Sequence, residues 1–273
     1  MDRRLIPATP RIAHISLKGR VEVPVYTDGT PMRVAQPVAD LLRSPHGPRE
    51  RQLLQGEPFT VIDRNEGHAF GFAGKDGYCG WLADAALSRD PVPSHWVSTP
   101  GTHLYPEARI QAPEVCALSL GAQVAITANH GKWLETTQGF LPACHLRPLG
   151  DWLADPVAVA ESLLGTPYLW GGNSRGGIDC SGLVQLAFWA CGISLPGDSD
   201  LQESAGTEIT PDAALRRGDL IFWKGHVALV VDETRLIHAN GHTMSVAHEG
   251  IQACIDRIQA QEGRPVRHRR RVL

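Results

Sequence analysis

Short β-prone runs, broken every few residues by Gly, Pro, Asn or Asp, fill the chain from about residue 36 to 148. The uninterrupted runs are too short for helices, and this pattern is typical of small β-barrels. Part of it repeats weakly, because residues 53–62 and 76–82 correspond to residues 118–126 and 137–142. We therefore predict two tandem barrels, over 36–90 and 95–148, after an N-terminal extension over 1–35.

The pattern changes after Asp151. Residues 156–164 and 179–191 are predicted to be helices, and the second is rich in Leu, Val, Ala, Phe and Trp. Short apolar runs separated by turn residues follow at 219–223, 226–231 and 235–239. Helices followed by antiparallel strands predict an α+β domain over 151–273.

Charge and composition argue against several classes of protein. The formal net charge is −3, so no global field draws the chain to nucleic acid or to an anionic membrane. No apolar stretch approaches the roughly 18 residues that span a bilayer. The N-terminus has no apolar core with a small-residue cleavage site, and the six cysteines include no CxxC pair. We expect a cytoplasmic monomer in a reducing compartment, with no nucleic-acid or membrane partner.

A glycine-dense segment, 166–184, carries the strongest chemical signal. It leads into Asp179, a favoured N-cap, and places Cys180 in the first turn of an apolar helix. Free N–H groups and the helix dipole at such a position stabilise a thiolate and can hold an oxyanion, so we expect a lowered pKa for Cys180. The surrounding glycines would let a substrate backbone approach closely: Gly171, Gly172, Gly176, Gly177 and Gly182.

Two histidines downstream could activate this thiol. His226 opens a strand after a Lys-Gly turn, and His238 lies on the next strand. If residues 232–234 form a three-residue hairpin loop, His238 faces Ala228, so both histidines share one sheet face as diagonal neighbours. A base oriented by a third polar group is the geometry that an activated nucleophile requires.

Other interpretations of these residues remain open. Asn240 or His242 could supply the third polar group in place of His238. Cys180, His226 and His238 could together hold zinc, although no close ligand pair such as HExxH occurs. The chain could also be a non-catalytic binding module in which the barrels recognise the ligand, or could use the same thiol for acyl transfer.

These motifs resemble a known family. The segments "YLWGG…DCSG.V", "GDL.FW…HVA.V" and "IHA" are similar to those of NlpC-type cell-wall endopeptidases, which are papain-like cysteine peptidases. The resemblance implies that Cys180 is the nucleophile, His226 the base and His238 its orienting partner, with Tyr168 near the oxyanion. Residues 196–200, with Asp198 and Ser199, resemble the "P.DS" substrate loop of the family.

The N-terminal half carries a second resemblance. Its "GE.F.V" strand and "DGY.GW" run are similar to bacterial SH3-like domains, and the tandem arrangement resembles a dipeptidyl-peptidase branch of the family. This implies cleavage after γ-D-glutamate in stem peptides such as L-Ala-γ-D-Glu-diaminopimelate, with a free N-terminal L-Ala, and no cofactor or metal. The diamino acid could be meso-diaminopimelate or Lys.

Carboxylates and hydroxyls near the nucleophile predict how the free amine is held. Asp179 and Ser181 flank Cys180, and a buried carboxylate forms a strong charge-assisted hydrogen bond with an α-ammonium group. We expect Glu50 and Tyr78 of the first barrel to help Asp179 cap the cleft. The alternative is that Glu50 is a surface charge and Tyr78 a barrel core residue. A closed cleft would suit murein peptide recycling in the cytoplasm rather than remodelling of intact wall.

Overall fold

The computed structural model of the chain describes residues 2–89 and 91–273. Met1 and Asp90, at the ends of predicted segments, lie outside the described residues. The chain divides into two compact units, Met1–Leu149 and Gly150–Leu273. As predicted, β-structure dominates the first unit, and helices are combined with an antiparallel sheet in the second.

The first unit begins with a short parallel pair, β1 (Ile12–His14) and β2 (Val25–Thr27). Single 3₁₀ turns at Arg3–Leu5 and Ile15–Leu17 accompany it. An antiparallel sheet of seven strands follows, made of β3 (Thr30–Val34), β4 (Val38–Leu42), β5 (Arg49–Leu54), β6 (Pro58–Asn65), β7 (His68–Ala73), β8 (Cys79–Ala83) and β9 (Leu87–Ser88).

The seven-stranded sheet includes one strand from the segment predicted as the N-terminal extension. Strand β3 lies within the predicted extension, yet it pairs with β6 through Thr30–Val61 and with β9 through Val34–Leu87. Val34 is 1% exposed and belongs to the first core. The Pro31 and Arg33 positions concealed this strand, because they interrupt an apolar alternation that is otherwise typical of strands.

Strand β5 connects the two cores of this unit. Leu53 packs in the core of the seven-stranded sheet, and its neighbour Leu54 packs in a second core with Val97 and Leu118. Successive side chains of a strand point to opposite faces, so one strand can serve both cores. Gly56 follows with a φ of +78°, and a Cβ there would lie 2.2 Å from the carbonyl oxygen of Gln123.

Three small sheets surround the second core. Their strands are β10 (His95–Val97), β11 (Gly101–Leu104), β12 (Cys116–Ser119), β13 (Gln123–Val124), β14 (Ala128–Asn129), β15 (Trp133–Thr136), β16 (Gly139–Pro142) and β17 (Leu146–Pro148). They pair as β13-β10-β17, β11-β12 and β14-β15-β16. The assignment of this region as a second copy of the first barrel remains a prediction.

The second unit contains four helices among the described residues: α1 (Pro156–Glu161), α2 (Cys180–Trp189), α3 (Ser199–Gln202) and α4 (Ile251–Glu262). Asp155 caps α1, whose first residue is Pro156, a residue well suited to that position. Helix α2 packs against α1 and the central strands of the sheet. Helix α4 ends at Gly263, which has a φ of +63°.

Six strands form the sheet of this unit, in the order β20-β25-β21-β22-β23-β24. Their bounds are β20 (Thr207–Glu208), β21 (Leu220–Trp223), β22 (His226–Val230), β23 (Arg235–Asn240), β24 (Ser245–Gly250) and β25 (His268–Arg271). A two-residue ladder, β18 (Asn173–Ser174) with β19 (Gly177–Ile178), precedes α2. None of the helices in the described part of the chain combines the length and the apolar character that a membrane span requires.

Candidate active site

Cys180 is the first residue of α2, as the sequence predicts. Asp179 has an extended backbone, and its Oδ1 accepts a 2.6 Å hydrogen bond from the N–H of Gly182. Its other oxygen accepts the N–H of Gly171 at 2.9 Å, and Ser181 Oγ donates to Oδ1 at 3.0 Å. Asp179 therefore caps the helix and fastens the preceding glycine loop to it.

The glycines of this loop serve the packing of the protein against itself. A Cβ at Gly182 would lie 2.6 Å from the carbonyl oxygen of Gly172, and a Cβ at Gly172 would lie 2.5 Å from that of Gly177. These atoms are backbone and cannot move aside cheaply. The sequence interpretation, that the glycines give room to a substrate backbone, is wrong for these two positions, because the protein's own backbone fills the space.

His226 and His238 occupy one face of the sheet, as predicted. Leu229 pairs with Ile237 and Val230 with Leu236, which is the predicted hairpin register. Nε2 of His226 lies 2.9 Å from Nδ1 of His238. The tight turn before β22 contains Gly225, at a φ of +76°, and places His226 at the very start of the strand.

The sulfur of Cys180 lies at this same strand end. The backbone N–H of Val227, the residue after His226, lies near enough to the sulfur to lower the pKa of the thiol. Cys180 is 7% exposed, so its sulfur is enclosed between the start of α2 and the start of β22. Cys180 thus lies near the strand end that carries His226, and the ring of His226 pairs with that of His238.

Burial dominates the electrostatics of the thiol. It raises the pKa of Cys180 to about 12, and the charge of Asp179 acts in the same direction. The N–H groups of Val227, Ser181 and Cys180 itself oppose this shift but do not overcome it. The expectation of a lowered thiol pKa is therefore wrong for the resting thiol, because removal of the sulfur from water outweighs the helix N-terminus.

The two imidazoles are neutral for the same reason. His226 is partly exposed at the surface, yet protein surrounds most of its ring, and this burial lowers its pKa to about 3. His238 is 1% exposed, and burial lowers its pKa as well. At neutral pH the site therefore rests as a thiol beside a neutral base. Transfer of the proton from Cys180 to His226 would create both charges at once, so that each stabilises the other.

Tyr168 borders the sulfur from the glycine-loop side. Its N–H donates to the carbonyl of Met244 at 2.9 Å, and the residue bridges to Ile178. Burial raises the pKa of its phenol well above the usual range, and the nearby Cys180 and Asp179 add to the shift. The hydroxyl is therefore a hydrogen-bond donor at all physiological pH values.

The predicted substrate loop is tied to the helix of Cys180. Asp198 precedes α3, and Ser199 is its buried first residue. Nε2 of Gln202 on α3 donates to the carbonyl of Ser181 at 3.0 Å and to that of Pro196 at 2.9 Å. These two hydrogen bonds hold the loop at a fixed distance from the nucleophile.

Tyr78 and Glu50 lie in the first unit. Tyr78 is 2% exposed and belongs to the core of the seven-stranded sheet, with the guanidinium of Arg51 5.0 Å from its ring centroid. Glu50 forms a bidentate ion pair with Arg3. These contacts match the alternative given above for Tyr78, and a role in binding the amine remains a prediction for both.

Sequence reasoning missed the strand and helix beyond His238. Glu249 on β24 lies 3.2 Å from Nε2 of His238, and Arg257 on α4 pairs with Glu249 at 2.8 and 2.6 Å. Asn240, by contrast, accepts from the N–H of Thr243 and holds the turn after β23. Residues 245–250 show no clear apolar alternation, so no local pattern in the sequence pointed to Glu249.

A cavity of about 470 Å³ opens beside His226. It contains groups of both charges, with Arg257 and Glu262 on α4 and the exposed His242 after β23. The described residues that line it are His226, Asn240, Gly241, His242, Arg257, Ile258, Gln261 and Glu262.

The zinc alternative does not match the positions of the ligand atoms. Among the described residues, one group of three brings its ligand atoms within 4.8 Å of one another, and it is His238, Glu249 and Cys254. It is not the trio of Cys180, His226 and His238. Moreover, Arg257 contacts both the Glu249 carboxylate and the Cys254 sulfur, so a guanidinium already lies where a cation would bind.

Comparison with known proteins agrees with the two-part organisation. Residues 165–259 match the NlpC/P60 family, and residues 41–87 match the bacterial dipeptidyl-peptidase SH3 domain. The chain is 27% identical to dipeptidyl-peptidase 6 of Lysinibacillus sphaericus, over 74% of this chain and 85% of that protein. It is also 27% identical to a γ-D-glutamyl-L-lysine dipeptidyl-peptidase of Bacillus cereus, over 70% of this chain and 67% of that protein.

A solved structure shares the fold. An NlpC/P60 family protein from Bacillus cereus superposes with a TM-score of 0.76 at 20% identity, covering 89% of this chain and all of that one.

Proposed function

We propose that this chain, in which residues 165–259 match the NlpC/P60 family and residues 41–87 match the bacterial dipeptidyl-peptidase SH3 domain, is a cysteine-type hydrolase that acts on murein stem peptides. The bond cleaved is the one between γ-D-glutamate and the diamino acid that follows. The observation that carries the proposal is the position of the Cys180 sulfur near the N–H of Val227, the residue that follows a His226 paired with His238.

The chemistry follows from these contacts. His226 accepts the proton of Cys180 as the sulfur attacks the γ-carbonyl carbon of glutamate. The N–H groups at the start of α2 and the hydroxyl of Tyr168 stabilise the oxyanion that forms. His226 then returns its proton to the departing amine, and the C–N bond breaks to leave a thioester. Water, deprotonated by His226, hydrolyses the thioester and regenerates the thiol.

The cavity beside His226 suits the departing diamino acid. Because the general acid must reach the leaving nitrogen, the leaving group lies on the His226 side of the sulfur. A diamino acid is zwitterionic, and the cavity offers Arg257 for a carboxylate and Glu262 for an ammonium group. Both Lys and meso-diaminopimelate meet this requirement.

We extend the proposal to the opposite end of the substrate, where a free L-Ala would be required. Asp179, Glu50 and Tyr78 are the groups proposed to hold its ammonium. Asp198 and Ser199 would contact the peptide from the loop that Gln202 fastens to α2. The relatives are named dipeptidyl-peptidases, which supports an enzyme that releases a dipeptide from a free N-terminus.

We further propose that the protein recycles small released peptides in the cytoplasm as a monomer. All six cysteines are free thiols, and the exposed Cys144 among them suits a reducing compartment. Fractionation of cells, with detection of the native protein by antibody, tests the location. An antibody signal confined to the envelope fraction would contradict it.

One experiment tests reaction, bond and end group together. The protein is incubated with L-Ala-γ-D-Glu-diaminopimelate, the Lys analogue, their N-acetylated forms and whole sacculi, and the products are identified by mass spectrometry. We expect L-Ala-γ-D-Glu and the free diamino acid from the unblocked peptides alone, with turnover unchanged by EDTA. Cys180→Ala is the control. Comparable digestion of sacculi or acetylated peptide, or loss of activity in EDTA with recovery in zinc, would overturn the proposal.

A further inference from the structure

Three adjacent strands bring His226, His238 and Glu249 into one row. In the register between β23 and β24, His238 pairs with Ala247 and Leu236 with Glu249. Glu249 is therefore a same-face, diagonal neighbour of His238, as His238 is of His226. Helix α4 covers this face, because Cys254 and Ile258 pack there with residues of the sheet.

The contacts along this row are close and shielded from water. Nε2 of His226 lies 2.9 Å from Nδ1 of His238, and Nε2 of His238 lies 3.2 Å from a carboxylate oxygen of Glu249. The second contact is not fully aligned as a hydrogen bond at rest. The side chain of His238 is fully buried, and that of Glu249 is 20% exposed.

Arg257 keeps Glu249 ionised and in place. Its Nε and Nη2 donate to the two carboxylate oxygens at 2.8 and 2.6 Å. This pairing holds the pKa of Glu249 well below its usual range. An ionised carboxylate accepts hydrogen bonds and donates none.

We propose that Glu249 is a positioning residue that selects the tautomers of both histidines, an inference that rests on the roles proposed for Cys180 and His226. A neutral imidazole carries one proton. Because the Glu249 carboxylate accepts, His238 carries its proton on Nε2. Its Nδ1 is then free to accept a hydrogen bond. His226 then carries its proton on Nε2, directed at His238. Its Nδ1 is left with a free lone pair, and this is the base that Cys180 requires.

The charge of Glu249 has a second consequence. When His226 takes the proton of Cys180, the imidazolium is stabilised through His238 by the carboxylate behind it. With the opposite His238 tautomer, a nitrogen lone pair of His238 would face the carboxylate. Its Nδ1–H would also face the Nε2–H of a His226 that keeps Nδ1 free as the base, across 2.9 Å. Replacing the carboxylate by an amide, which can donate as well as accept, allows that unfavourable arrangement.

The resting tautomers can be observed directly, without substrate. Long-range ¹H–¹⁵N spectra of histidine-labelled protein distinguish Nδ1–H from Nε2–H imidazoles, and His226→Gln and His238→Gln assign the two signals. We expect both rings as Nε2–H tautomers in the wild type. In Glu249→Gln we expect a mixture for His238. An Nδ1–H form of His238 in the wild type, or unchanged tautomers in Glu249→Gln, would overturn the proposal.

Kinetics separate positioning from simple stabilisation. Glu249→Gln should lower kcat about 10- to 100-fold with KM within about twofold, since it impairs a general base whose full contribution is roughly 10²–10⁴-fold. Glu249→Asp, which keeps the anion, should recover most of this loss. Asp219→Asn is the matched control, because it breaks another bidentate pair of the same sheet, with Arg271, away from the histidines.

Asp219→Asn should lower Tm at least as much as Glu249→Gln but leave kcat and both tautomers unchanged. An equal loss of kcat in the two variants would reduce Glu249 to a stabilising role. Failure of the proposed function is a separate result: it would appear as absent turnover in the wild type, or as full turnover in Cys180→Ala, whatever the tautomers.

Discussion

Nε2 of His226 and Nδ1 of His238 lie 2.9 Å apart, with one ring partly exposed and the other fully enclosed. This contact assigns the two histidines different tasks. The ring that reaches the surface borders the sulfur and a cavity, whereas the enclosed ring can contact only its neighbours. An enclosed partner orients a base but does not meet the substrate.

Substitutions of the two histidines should therefore differ in effect. His226→Ala removes the proposed base and should lower kcat/KM by about 10²–10⁴-fold. His238→Ala removes only the group that orients His226, and we expect kcat/KM to fall by roughly 10- to 100-fold. Stem-peptide hydrolysis followed by mass spectrometry measures both.

His238→Asn is the matched variant, because an amide oxygen can still accept the Nε2 proton of His226. It should retain more activity than His238→Ala. Equal and complete losses in His226→Ala and His238→Ala would mean that the two roles are not divided in this way.

The pH profile should extend unusually far into acid. Burial, with His238 and Arg257, lowers the pKa of His226 to about 3, while Glu249 acts in the opposite direction. The active base is the neutral form, which persists above that pKa, so kcat/KM should change less than about twofold between pH 7 and 5. A histidine with the ordinary pKa of about 6.5 would lose roughly 25-fold in its neutral fraction over the same range.

Folding must be monitored in parallel. Below pH 6.5 the unfolded chain binds a proton at this histidine that the folded chain excludes, so the free energy of unfolding decreases as the pH falls. Circular dichroism at each pH separates this loss from catalysis. An acid limb centred near pH 6.5 in folded protein would contradict the assignment of a buried neutral base.

Local sequence signals predicted the parts of the site that depend on single elements. Asp179 as N-cap, Cys180 in the first turn and the hairpin that pairs His226 with His238 each follow from a few adjacent residues. Glu249 depends on a third strand of mixed polarity and on a helix that returns across the sheet, and neither has a strong apolar period. The thiol pKa depends on burial, which comes from elements distant in sequence.

The strands and helices likewise fall into those that local sequence predicts and those that depend on residues distant in sequence. The α+β class and most strands of the second unit follow from apolar runs and turn residues. Strand β3, by contrast, carries a proline, and β25 is a run of arginines and a histidine. The basic strand is an inner strand of its sheet because carboxylates compensate it, among them the buried Asp219 paired with Arg271. A run of like charges does not show that carboxylates distant in sequence will neutralise it, so the inner position of this strand could not be predicted.

Recognition of the free amine can be tested through Glu50 and Tyr78. Glu50→Gln removes a charge-assisted hydrogen bond, worth about 1.5–3 kcal/mol. If Glu50 holds the ammonium group, the ratio of kcat/KM for free over N-acetylated peptide should fall at least tenfold. Arg3→Met is the control, because it breaks the same ion pair but keeps the carboxylate, and the ratio should be unchanged.

For Tyr78 the informative change is Tyr78→Phe. The ring is in a core, and its removal in Tyr78→Ala would cost about 3–5 kcal/mol of stability and confuse the result. Loss of the hydroxyl alone should lower the same ratio about fivefold if it binds the amine, the effect of a neutral hydrogen bond. An unchanged ratio in both Glu50→Gln and Tyr78→Phe would assign the two residues to the structure of the barrel.

Alkylation of Cys180 tests how the thiol is activated. A thiol with a pKa of about 12 is ionised to only about one part in 10⁵ at pH 7, so its reactivity depends on proton transfer to His226. We expect iodoacetamide to modify Cys180 at least tenfold faster in the wild type than in His226→Ala.

The exposed Cys144 is an internal control, since it should react equally in both proteins. Peptide mass spectrometry after timed quenching gives both rates from one digest. Equal modification of Cys180 in the two proteins would mean that the start of α2 activates the sulfur without a base.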